Sequence, residues 1–127
     1  MITKLDFLAV PSTDWERSRA FYVDTLGLRP DPNSKAEFWV GETCCGIYEP
    51  AQVGFEFAPQ RTAHLAFHVD DMAAARAEYE SRGIEFLGET MDTGVCHMAF
   101  FEDPDGNALM LHSRYAPVTP TSPSPSS

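Results

Sequence analysis

Short apolar runs and amphipathic stretches follow one another in an order that occurs twice along the chain. Leu5-Asp-Phe-Leu-Ala-Val10 has strand character. It leads into Thr13-Asp-Trp-Glu16, where a threonine and a glutamate at capping-box spacing predict a helix start. That helix is expected to run through Arg17, Phe21 and Tyr22 and to stop at Leu26-Gly27, because glycine can take the left-handed conformation that ends a helix. The second occurrence begins at His64-Leu-Ala-Phe-His-Val69, again a strand pattern. Asp70 or Asp71 then caps the run Met72-Ala-Ala-Ala-Arg-Ala-Glu-Tyr79, and Gly83 stops it. Asp14 and Tyr22 are eight residues apart, and so are Asp71 and Tyr79.

Three short strands are predicted after each helix. They lie near 28–29, 36–40 and 44–48 in the first half, and near 84–87, 95–101 and 107–112 in the second. Asp103-Pro-Asp-Gly106, just before the last of them, is the strongest turn signal in the chain. The pattern predicts an α+β fold of two βαβββ modules, at about residues 1–55 and 60–115, forming a curled mixed sheet around a cleft. One copy alone is too small to bury a useful core, so the two must pack together. A ligand belongs in the cleft between them. Residues 116–127 read APVTPTSPSPSS, with four prolines, four serines and no apolar period, and are expected to form a disordered tail.

Composition narrows the classes of function. A chain of 127 residues with 43% hydrophobic and 22% charged residues fits one globular domain rather than a disordered chain. Nine Lys and Arg against 19 Asp and Glu give a net charge of −10, which repels phosphate backbones and favours cationic or neutral ligands over nucleic acid. No apolar run approaches the ~18–20 residues that span a bilayer, and no charged-then-apolar leader opens the chain, so neither membrane insertion nor export is expected and the cytoplasm is the expected location. Cys44, Cys45 and Cys96 cannot all pair within one chain and lack zinc-ribbon spacing. With nothing cationic nearby in sequence to activate them, Cys44 and Cys45 are expected to be small buried hydrophobes.

Three motifs in order carry a resemblance: Asp14-x3-Ser18-x2-Phe21-Tyr22-x3-Leu26-Gly27, Ala63-His-Leu-Ala-Phe-His-Val-Asp-Asp71 and Phe101-x-Asp103-Pro-Asp-Gly-Asn107. Together they resemble the vicinal oxygen chelate superfamily, which includes glyoxalase I, extradiol dioxygenases, methylmalonyl-CoA epimerase, fosfomycin-resistance enzymes and bleomycin-resistance proteins. The resemblance covers nearly the whole chain outside the tail. For catalytic members it implies a divalent metal held by histidine and carboxylate side chains, with open positions for two substrate oxygens.

The ligand positions that the resemblance implies can be tested one by one. Seven residues before Asp14 stands Phe7, and a two-residue slip gives Leu5; neither carries a lone pair. Seven before Asp71 stands His64, which matches. On the strand closing the first module, the apolar register gives Gly46, whereas counting from Gly41 gives Cys45. Seven after Asp103 stands Met110, a poor ligand for hard cations. Only His64 is clearly kept, so no metal or other cofactor is expected, and a divalent metal, if bound, would be held at His64.

Strand alternation puts His64, Ala66 and His68 on one face and Ala108, Met110 and His112 on another shared face. Tyr48 or Glu49 is expected to approach from the first module, and Trp39, on the face of Glu37, offers a flat surface for an aromatic or cationic ligand. The expected cleft is therefore lined by Phe7, Trp39, Tyr48, His64, His68, Met110 and His112. The three histidines read either as a polar pocket wall or as a relocated metal site or acid/base pair. Parity does not fix the facing of His97. The function expected is that of a metal-free small-molecule-binding protein that sequesters a drug or metabolite. Resemblance to the bleomycin-resistance branch adds a homodimer with shared clefts. The alternative is a metal-dependent lyase, isomerase or dioxygenase with an atypical site around His64.

Overall fold

A computed structural model describes residues 1–117, so the expected tail lies outside the described residues except for Ala116 and Pro117. β1 (Phe7–Pro11) runs parallel to β4 (Thr43–Tyr48), which pairs antiparallel with β3 (Glu37–Val40), and the two-residue β2 (Arg29–Pro30) closes that sheet. The second module repeats this order: β5 (Leu65–His68) lies beside β8 (Ala108–Arg114), then β7 (Cys96–Glu102), then the short β6 (Met91–Asp92). The protein is thus α+β with two βαβββ modules, each building its own four-stranded mixed sheet. No helix among the described residues is long and apolar enough to cross a membrane.

α1 (Trp15–Arg19) starts one residue later than the capping-box spacing predicts. Asp14 is the cap, its carboxylate accepting from the Arg17 backbone N–H at 3.2 Å. Thr13 is unavailable because its hydroxyl and its backbone N–H both donate to Asp105 in the other module. The helix continues as a π-helical stretch, Ala20–Thr25, in which the Leu26 N–H reaches back five residues to the Phe21 carbonyl at 2.9 Å. α2 (Met72–Ser81) is capped by Asp71, which accepts from Ala74 N–H at 3.0 Å, and it ends ahead of Gly83 at φ +94°.

The strand predicted at 84–87 does not form. Ile84 is buried and Phe86 packs on the core, so the apolar pattern there records burial rather than a ladder. One backbone bond, Leu87 N–H to Phe100 C=O at 2.8 Å, ties the segment to β7. Gly88 at φ +77° then turns the chain, and pairing resumes only at Met91–Asp92.

A single core spans both modules. Val10, Phe38, Cys45 and Ile47 of the first sheet join Ala99, Phe101, Leu109 and Leu111 of the second, with Tyr22, Leu26, Met72 and Ile84 beside them. Each large side chain of this set contributes about 1.5–3 kcal/mol of burial free energy. Tyr22 stacks on Phe38 with ring centroids 4.6 Å apart.

Polar contacts clasp the modules as well. The Asp103 carboxylate accepts from Tyr22 Oη at 2.6 Å, from the backbone N–H of Asp105 and Asn107, and from Asn107 Nδ2. Asn107 Nδ2 also reaches the Pro11 carbonyl at 2.8 Å, while Asp105 receives Thr13, Arg17 and Ser18. In return, Tyr79 Oη donates to the Leu26 carbonyl at 3.0 Å. Two of the three sequence motifs thus spend their polar residues on joining the halves.

Candidate functional site

Helices and core cover one face of each sheet; the opposite face is more open. On the first sheet, strand register aligns Phe7, Cys44, Trp39 and Arg29 in one row, Ala9, Gly46 and Glu37 in the next, and Pro11 with Tyr48 in a third. Phe7 is 59% exposed and Tyr48 42%. Cys45 pairs with Leu8 and Phe38 on the other face and is buried in the core. Of the two residues that counting left for the first-module ligand position, Gly46 is therefore the one that shares a face with Phe7.

On the second sheet, Ala66, Met110 and Phe100 form one row, and His68, His112, Met98 and Met91 the next. His64 stands just before β5, with its ring edge-on to Phe100 at 5.4 Å, which brings it beside the Met110 row. His68 and His112 are direct neighbours across β5 and β8, and His68 Nε2 lies 2.8 Å from Asp70 Oδ1 in an exposed pair. His97 points to the opposite face of β7, 3.6 Å from Asp92 and 5.0 Å from the Tyr115 ring, away from the other histidines.

Trp39, Phe7 and Tyr48 thus belong to the first open face, and His64, His68, Met110 and His112 to the second. A cavity of about 340 Å³ lies between Leu26, Leu28 and Val40 of the first module and Phe67, His68 and Tyr79 of the second. His68 borders it; the other six expected cleft residues lie outside it, on the sheet faces.

The profile of the Glyoxalase/Bleomycin resistance protein/Dioxygenase superfamily matches residues 4–111. The chain belongs to this superfamily. It is 32% identical over 126 residues to the uncharacterized protein YaeR of Escherichia coli (strain K12), a match that spans 89% of this chain and 98% of YaeR. A superfamily member from Sphaerobacter thermophilus DSM 20745 has the same fold, with a TM-score of 0.73 at 22% identity, covering 89% of this chain and 98% of that one. Lactoylglutathione lyase from Agrobacterium tumefaciens superposes with a TM-score of 0.70 at 18% identity, covering 88% and 94%. Identities this low establish the shared fold and carry no activity across.

The donors at the superfamily's metal positions do not suit a divalent ion. Phe7, Gly46 and Met110 fill three of the four positions that the resemblance implies, and only the fourth, His64, offers a nitrogen; His68 and His112 stand in the next row of the second face. Among the described residues no group of three or more His, Cys, Asp or Glu side chains converges as a metal site requires.

The thiols are equally poor candidates for nucleophiles. Burial first, then the negative charges of Glu37 and Asp31, push the Cys44 thiol above its usual value. Burial and the neighbouring Cys44 push Cys45 up to about 11. Both are protonated at neutral pH, as expected of packed cysteines without a cationic neighbour.

Two side chains matter more than sequence reading suggests. Asp31, in the loop after β2, accepts from Trp39 Nε1 at 2.8 Å and fixes the indole. Glu37 lies across Gly46: a Cβ built on that glycine would stand 3.9 Å from Glu37 Cγ. A Cβ there would make only ordinary contact, so the strand glycine by itself carries no signal of this neighbour.

Proposed function

We propose that this superfamily member binds a small molecule on its open sheet faces without the help of a metal, and that a second copy of the chain closes those faces into a shared cleft. The observation that carries the reading is the donor chemistry at the superfamily's metal positions: a benzyl group, a glycine and a thioether accompany the lone imidazole of His64. Those side chains make apolar contact with a ligand where carboxylates would have held an ion. Exposed Phe7 and Tyr48, together with half-buried Trp39, give the first face more apolar surface than solvent contact favours, which supports cover by a ligand and a partner. The competing reading, a metal-dependent enzyme built around His64, has one donor in its favour.

The test is a ligand-observed NMR screen of neutral and charged fragments against protein stripped with a chelator. Hits that are lost in Phe7→Asp and Met110→Glu variants, with unchanged melting temperatures, support the reading. Fragments that bind only after a divalent metal is added would overturn it.

A further inference from the structure

We propose that the ligand is an organic cation, an ammonium group carrying an apolar or aromatic body, seated on the open face of the first sheet with Glu37 as its counter-charge. The inference rests on the binding reading above and adds the ligand's class.

The seat is built from the row of small residues. Ala9 and Gly46 lie side by side, and Glu37 is the cross-strand neighbour of Gly46 on β3, its Cγ 3.9 Å from where a Cβ on that glycine would stand. Aromatic residues stand in the rows on either side: Phe7 and Trp39 in one, Tyr48 in the other. A carboxylate beside small residues, with aromatic residues in the flanking rows, suits an ammonium group through charge pairing and cation–π attraction.

The charges on this face leave Glu37 uncompensated. Arg29 stands 5.5 Å over the Trp39 ring and donates to the Gly41 carbonyl, and Asp31 accepts from the same indole. Arg29 and Asp31 therefore bring opposite charges to one tryptophan. Glu37 is half-buried and makes no ion pair among the described residues. Its charge is felt at the Cys44 thiol, which it helps to push up. An anionic ligand would meet that carboxylate with nothing to offset it, whereas a cation supplies the missing partner. The chain's net charge of −10 draws cations from a distance in addition.

The experiment is a titration of 15N-labelled full chain with benzyltrimethylammonium chloride and, separately, with benzyl alcohol as a neutral analogue, at fixed ionic strength. The readout is the indole N–H signal of Trp39. The chain has two tryptophans, and a Trp39→Phe spectrum assigns the signal. The expected result is a saturable shift with the cation that weakens about tenfold or more in Glu37→Gln, survives in part in Glu37→Asp, and has no counterpart in benzyl alcohol. Equal affinity of the cation for wild type and Glu37→Gln overturns the charge assignment while leaving small-molecule binding intact. So does tighter binding of benzyl alcohol than of the cation. If neither probe moves the signal, the cation inference falls, and the fragment screen then decides the broader reading on its own.

Discussion

The Tyr22 hydroxyl donates to Asp103 Oδ2 at 2.6 Å across the junction of the two modules, and both side chains are buried. This contact joins the two most family-like motifs of the sequence, and its chemistry is that of a fastener. Burial, followed by the adjacent Asp103 charge, raises the Tyr22 phenol far above its usual value, so it stays protonated and keeps donating. The same ring stacks on Phe38 in the core.

Tyr22→Phe keeps the stacking and removes the donor. A buried hydrogen bond to a charged acceptor is worth about 1.5–3 kcal/mol. The expected outcome is a melting temperature lower by about 5–15 °C, measured by circular dichroism, with the fold retained. An unchanged melting temperature would show that Asn107 and the backbone N–H groups satisfy Asp103 by themselves.

Asp105 makes the clasp sensitive to acid. Burial pushes its carboxyl upward, but hydrogen bonds from Thr13, Ser18 and Ser12 outweigh that and hold it below the usual 3.8. A carboxylate lowered in the folded state stabilises the fold above its unfolded value and loses that contribution as pH falls through the folded value. Asp105→Asn is therefore expected to cost about 1–3 kcal/mol at pH 7, with the gap to wild type closing below about pH 4. Urea denaturation at a series of pH values checks this. A gap that stays constant into acid would contradict it.

His64 lies edge-on to Phe100, and under the proposed reading it contributes pocket wall rather than a metal bond. His64→Ala is expected to change the affinity of a fragment hit by less than about tenfold, or about 1.4 kcal/mol. Calorimetric titration measures it; complete loss of binding would restore His64 to a central role.

If a second copy covers the open faces, the solution mass is about twice the 14.1 kDa of one chain. Phe7→Asp, which puts a charge on that face, is expected to shift the mass toward the monomer in light scattering. A wild-type mass of one chain would remove the partner from the account.

Much of the fold was legible because its devices are local. A helix cap at Asp70 or Asp71, of which the structure shows Asp71, the turn at Asp103 to Gly106 and the alternation on β5 and β8 follow from spacing. Capping-box spacing points to Thr13 rather than Asp14 because the partner that engages Thr13, Asp105, lies 92 residues away in sequence. The strand expected at 84–87 failed for a related reason: burial of Ile84 and Phe86 produces an apolar run without a neighbouring strand to pair with. At the site, alternation grouped Trp39 with Glu37 and the histidines with Met110. It could not choose between Gly46 and Cys45, since that depends on which residue of β4 pairs beside Ala9. Nor could it foresee Glu37 beside Gly46, which depends on the register between β3 and β4.

Under the proposed reading, this chain keeps the superfamily's fold while its metal positions have turned to ligand contact. The most direct measurement is metal content per chain, by elemental analysis of untagged protein purified without chelators and again after incubation with zinc, iron, manganese and nickel salts. The account predicts far less than one equivalent of any of them in both samples. Close to one equivalent of a single metal, lost in His64→Ala, would contradict it.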